Sequence, residues 1–174
     1  ILRGTLEFAD TVDFVEIRNN HIEIVAISEF KSTKLHFFNN YLYSTGSQIL
    51  KFCSNSRIIN NYFDEYVSLE FPSPSNITMK NCYLSSSLTI NKNFSNLFIS
   101  DCYISGSLNI SASSGSGRIT NCVITGNLNV STNNEIYILN NKVGGTTSFA
   151  EKNITDLGYG FNNVHFKFNT CSFA

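Results

Sequence analysis

Apolar and polar residues alternate along this chain in short runs that break at regular intervals. An eight-residue pattern (apolar, any, apolar, any, Asn in most copies, Asn or Cys, any, apolar) recurs at 15–22, 35–42, 56–63, 77–84, 97–104, 117–124, 136–143 and 166–173. With the sixth position as marker, Asn20, Asn40, Asn61, Cys82, Cys102, Cys122 and Asn141 are separated by 20, 21, 21, 20, 20 and 19 residues, and Cys171 follows 30 further on. A second alternating run follows several markers, clearest in Gly106 to Ile110 and Gly126 to Val130. Each repeat therefore holds about three short strands.

Alternation assigns the faces. A period of two turns Leu97, Ile99, Cys102, Ile104, Leu108 and Ile110 inward and Phe98, Tyr103, Ser105 and Asn109 outward. Ser100 and Asp101 interrupt the alternation, which predicts a corner there. The second corner residue is Asn19, Asn39, Asn60, Asn81, Asp101, Asn121 or Asn140 in seven copies. Asn and Asp are the non-glycine residues that best tolerate a left-handed backbone.

No 3.6-residue apolar stripe persists across a repeat, which excludes a helical array. An antiparallel sandwich would reverse strand direction, whereas here the same side chains return in the same order at nearly constant spacing. That suits identical coils stacked in register, about 4.8 Å apart. The expected fold is all-β: a single-stranded right-handed parallel β-helix of about eight coils of roughly 20 residues, forming one domain over residues 1–174. The Asn/Cys column is expected to line the inner corner, with stacked amides bonding along the axis and free, buried thiols as fillers. An irregular insertion is expected at 144–165, with two glycine-rich spots, Gly144-Gly145 and Gly158-Tyr159-Gly160. The chain opens on Ile1 in mid-turn, so it is expected to belong to a longer protein. Flanking domains or like subunits should then cover the coil ends.

The corner asparagines and the twenty-odd-residue coils resemble the right-handed parallel β-helix repeats of the pectate-lyase-like superfamily over most of the chain. That resemblance implies a polysaccharide-related role, since members that act on anything mostly act on carbohydrate along a lateral face. Grouped aspartates with a nearby catalytic Arg or Lys, as in the enzymes of that superfamily, are not found in this sequence.

Composition narrows the partners. Of 174 residues, 42% are hydrophobic, ample for a continuous core, and only 14% are charged. Twelve basic residues against thirteen acidic ones give a formal net charge of −1, without the Lys/Arg excess of a nucleic-acid binder. No apolar run is long enough for a membrane span. Cys82, Cys102 and Cys122 stand in a straight column that cannot easily wrap an ion, no CxxC motif accompanies them, and neither a metal centre nor a cofactor is expected.

Stacked coils turn equivalent outward positions into columns. The seventh position reads His21, Tyr41, Tyr62, Tyr83, Tyr103, Val123, Lys142 and Ser172. Its four consecutive tyrosines are either a cross-strand aromatic ladder that stabilises the sheet or a stripe on which sugars stack. Glu23 and Asp64 share the ninth position on either side of Tyr43 and are the only candidate pair of catalytic carboxylates. Asp64, Glu65 and Glu70 lie close enough in sequence to hold a cation but lack the spacing of a calcium loop. His21, His36 and His165 fall in different places and form no triad. Ser113 to Gly117 reads as a flexible coil connection. The expected function is a non-catalytic, rod-like module of a surface or secreted protein, extracellular or at the cell surface, for glycan or protein contact. Part of a polysaccharide lyase or glycoside hydrolase, or a structural spacer, are the alternatives.

Overall fold

Strands of two to nine residues are too short to bury a face alone, and each finds its partners in the coils before and after it. A computed structural model describes residues 2–4, 12–26, 28–72, 74–132, 135–150 and 164–173. Among these residues there is no helix, every ladder is parallel, and the chain winds as a parallel β-helix of about seven turns. The first sheet stacks eight strands: Val15–Arg18, Leu35–Phe38, Ser56–Ile59, Thr78–Lys80, Phe94–Ser100, Gly115–Thr120, Ile136–Leu139 and Val164–Lys167. Around the corner the second sheet runs from Leu2–Gly4 and His21–Ile24 through Tyr41–Tyr43, Tyr62–Phe63, Tyr83–Leu84, Tyr103–Ile104 and Val123–Ile124 to Lys142–Ala150.

The third sheet is split. Ser28–Glu29, Gln48–Lys51 and Val67–Glu70 pair in one block, and Leu88–Ile90, Leu108–Ser111 and Leu128–Ser131 in another that ends on the far half of Lys142–Ala150. No ladder joins Val67–Glu70 to Leu88–Ile90. The local cause is a tight turn. The Gln48 and Leu88 amides cross to Tyr66 O and Ser107 O in the next coil, but the Val67 amide folds back onto Asp64 O at 3.0 Å.

The register confirms the inward set. Ile22, Leu42, Phe63, Leu84, Ile104 and Ile124 form one buried column, and Phe37, Ile58, Met79, Ile99, Ile119 and Ile138 another. Early coils are filled by aromatics, with Phe30, Phe37, Phe52 and Phe71 packed at centroid distances of 5.5 to 5.7 Å, and later coils by Ile, Leu and Val. The expected corners are left-handed, with φ between 52° and 59° from Asn19 to Asn140. At the inner corner the amide column also forms: Asn40 N donates to Asn61 Oδ1 at 2.8 Å, and Asn61 Nδ2 to Phe37 O and Ile59 O. Cys82, Cys102 and Cys122 continue it as free, buried thiols, each with its sulfur near the carbonyl two residues earlier. The hydrogen bond from Cys122 lowers the Cys102 thiol pKa, but Cys82 and burial outweigh it and push it up to about 12. Bonding to Cys102 and burial raise Cys122 as well. Both thiols stay protonated at neutral pH and pack as apolar groups.

Two expectations are corrected. The eighth copy is not 166–173 but 164–171: Ile138 pairs with Phe166 and Lys142 with Thr170, so Asn169 takes the inner corner and bonds the Asn141 amide at 2.7 Å. Phe168, at φ 57° and 84% exposed, stands where other coils have Asn or Asp. A buried amide that completes the ladder outweighs an unfavourable residue at an exposed corner. Nor is Ser113 to Gly117 a flexible connection, because Gly115–Thr120 is a strand. A Cβ on Gly117 would meet the Leu97 carbonyl, so glycine there permits close approach of two backbones. Of the expected insertion, 144–150 continue Lys142–Ala150 and 164–165 belong to Val164–Lys167, while 151–163 lie outside the described residues.

Candidate functional site

The left-handed corner throws the fifth-position side chain outward, where it stacks on its counterpart in the next coil. Asn39 Nδ2 donates to Asn19 Oδ1 at 3.0 Å, Asn60 Nδ2 to Asn39 Oδ1 at 3.1 Å and Asn81 Nδ2 to Asn60 Oδ1 at 2.8 Å. A carboxamide carries two N–H donors and two lone pairs, and this ladder uses one of each. Every interior rung thus keeps one donor and one acceptor for a partner. The ladder stops at Asp101, which has no N–H to give to Asn81. Asp101 instead accepts from Asn121 at 3.1 Å and lies 3.8 Å from the Lys80 ammonium.

Two residues along the chain stands the tyrosine column. Tyr41 and Tyr62 are stacked at 4.7 Å, Tyr62 and Tyr83 at 4.8 Å, and Tyr83 and Tyr103 at 4.9 Å, with interplanar angles of 1° to 7°. His21 closes one end edge-on to Tyr41, and Val123 follows Tyr103 at the other. The rings therefore occupy one another's faces. Both faces of Tyr62 and Tyr83 are taken, so what the column offers outward is ring edges and hydroxyls rather than platforms. Burial, then Asp64 and Tyr62, raises the Tyr41 pKa, so its hydroxyl remains a neutral donor. Between the two ladders runs a shallow groove of about 610 Å³, lined by asparagines 19, 20, 39, 40, 60, 61 and 81 with His21 and Tyr41, Tyr62 and Tyr83.

Glu23 and Asp64 do fall in one column, since Glu23 pairs with Tyr43 and Asp64 follows Phe63 as Tyr43 follows Leu42. Their surroundings differ from one another. Glu23 is 8% exposed and accepts from the Tyr43 hydroxyl at 3.2 Å, while Asp64 caps the Glu65 amide at 2.8 Å. Neither lines the groove. Asp64, Glu65 and Glu70 form no cation cage, and among the described residues no group of His, Cys, Asp and Glu could hold a metal. Nor is any helix of the described residues long and apolar enough to cross a membrane. His36 packs edge-on against Phe14 with its Nε2 buried and unpartnered, and burial, then Lys34 and Arg57, lowers its pKa.

Two features were not read from the sequence. A second exposed ladder, Asn55, Asn76 and Asn96, has left-handed backbone, Asn55 and Asn76 just before first-sheet strands and Asn96 at the irregularity within Phe94–Ser100. Its residues lie outside the eight-residue pattern, although their spacing of 21 and 20 carries the same period. A cleft of about 670 Å³ opens at the split in the third sheet, with buried Leu69, Phe71 and Ile90 beside Lys51, Glu70 and Lys92 in its lining. It arises from a hydrogen bond that is not made, which no residue pattern announces.

Comparison with protein-family models, with curated proteins and with solved structures finds no match to this chain.

Proposed function

We propose that the chain is a non-catalytic, rod-like binding module whose contact face is the groove between the Asn19 to Asn81 ladder and the Tyr41 to Tyr103 column, and whose partner is a glycan. The observation that carries this reading is the spare hydrogen-bonding capacity of the amide ladder. One free donor and one free acceptor per coil, beside a row of tyrosine edges and hydroxyls, suit a polyhydroxylated partner. The face is pre-organised by its own internal bonds, so little ordering entropy is lost on binding. The resemblance of the repeat to the right-handed, pectate-lyase-like β-helices supports the same class of partner and a place outside the cell, on a surface or in secreted form. A catalytic role for Glu23 and Asp64 is disfavoured because neither carboxylate lines the groove.

The double variant Tyr62→Ala, Tyr83→Ala tests the face. Glycan retention on an array should be lost while the β-sheet circular dichroism is kept, with no reducing ends or unsaturated products released by the parent protein. Unchanged retention would remove the tyrosine column from the site, and turnover would replace the module reading with an enzyme.

A further inference from the structure

Where the third sheet is continuous, the main chain closes it just past each strand: Phe52 N donates to Glu70 O and Ala112 N to Ser131 O, each at 2.9 Å. At the split, neither the corresponding bond from Phe71 N to Asn91 O nor the one from Asn91 N to Leu69 O is made, and Val67 N is taken by Asp64 O. Strand alternation directs these groups at the facing edge, so two N–H donors and two carbonyl acceptors turn toward the cleft of about 670 Å³ between them. That volume lies within the roughly 300–1,000 Å³ of ligand sites. We propose that this cleft is a second binding site, independent of the tyrosine face, and that it takes the free C-terminus of a polypeptide ending in an apolar residue.

Three features of the lining select this occupant together. Lys51 and Lys92 stand against one acid, Glu70, and among the described residues none of the three is in an ion pair. Glu70 is the register partner of Lys51, which leaves Lys92 the unmatched charge. A single carboxylate beside that ammonium and the Phe71 and Asn91 N–H groups would gain charge-assisted hydrogen bonds. The unpaired Leu69 and Asn91 carbonyls call for N–H donors in the same ligand, which a peptide main chain has and a fatty carboxylate lacks. Leu69, Phe71 and Ile90, 2 to 6% exposed, supply an apolar floor for the last side chain. An internal peptide segment would bring the amides and the side chain but no main-chain carboxylate.

The test is fluorescence anisotropy of the full chain with a labelled hexapeptide ending in Val-Leu and a free carboxylate, beside its C-terminal amide, a version ending in Val-Asp, and octanoate as a competitor. The free acid should bind at least about tenfold more tightly than the amide or the Val-Asp version, as loss of a hydrogen bond to a charged group implies. Octanoate should compete at least about tenfold more weakly than the unlabelled peptide. Lys92→Gln should weaken binding about fivefold, while Lys31→Gln, the same charge change at an exposed lysine outside the cleft, should leave it unchanged. In nitrogen-15 spectra the Phe71 and Asn91 amides should be among the resonances that move most. Equal affinity of acid and amide, or shifts confined to another face, overturns the proposal. Octanoate competing as well as the peptide overturns it in favour of a simple amphipathic carboxylate, and absence of binding to all four ligands removes the site. None of these outcomes bears on the glycan reading of the tyrosine face.

Discussion

Replacing Asn61 by alanine isolates what the inner amide column contributes. Asn61 is 2% exposed, and its carboxamide accepts from Asn40 N at 2.8 Å and Asn40 Nδ2 at 3.1 Å while donating to Phe37 O and Ile59 O. The Asn40 side chain keeps Ile17 O as an acceptor, but the Asn40 main-chain N–H is left buried with nothing to donate to. An unsatisfied buried group costs about 1–3 kcal/mol, and loss of donors to two carbonyls adds a fraction of that. The expected destabilisation is about 3 kcal/mol, which lowers a urea midpoint by about 1 M at an m-value of roughly 2–3 kcal/mol/M. Asn61→Cys should cost markedly less, because coils 82, 102 and 122 already seat a thiol there. Asn60→Ala, in the exposed ladder one residue away, puts alanine at a φ of 56° and removes two exposed amide bonds, and should cost about 1–2 kcal/mol, still less than Asn61→Ala. Urea unfolding of the three variants, with hydrogen exchange at the Asn40 amide, reads both the global and the local effect. Equal midpoints for Asn61→Ala and Asn60→Ala, or unchanged protection at Asn40, would refute the idea that the inner column stabilises the corner.

Two further outcomes follow from particular residues. Because burial lowers the His36 pKa, the unfolded chain binds that proton more readily. Its contribution to stability is therefore full above about pH 6.5 and lost as pH falls through the folded value, and His36→Leu should flatten that segment of a stability curve measured from pH 8 to pH 4. Gly117→Ala, whose new methyl meets the Leu97 carbonyl, should destabilise by about 2 kcal/mol, whereas Gly46→Ala, facing open space, should be neutral or stabilising by about 0.5 kcal/mol in the same melts.

Much of the architecture was legible because β-solenoids write their period directly into the chain. The inward columns and the left-handed corners follow from alternation and from the tolerance of Asn, and both appear at the expected residues. The last coil was misphased because one exposed corner accepts Phe168, which made Phe166 and Phe168 look like the inward pair when the bonding of Asn169 decides the register. The glycine-rich 113–117 stretch looked like a connection because pattern alone does not reveal that Gly117 must lie against a backbone. For the candidate face, the tyrosine column could be listed from spacing, but not the direction in which the rings would turn. Only coordinates distinguish rings stacked on one another from rings open to a ligand.

The split third sheet also bears on how the rod carries load. Elsewhere on that face successive strands are joined by main-chain hydrogen bonds, but between Val67–Glu70 and Leu88–Ile90 one rung is absent. In a nearly one-dimensional stack, compliance concentrates where neighbour coupling is weakest. Tension applied along the axis should therefore open this seam before any other junction on that face, giving an extended filament a built-in point of yield between coils still held by their other two sheets.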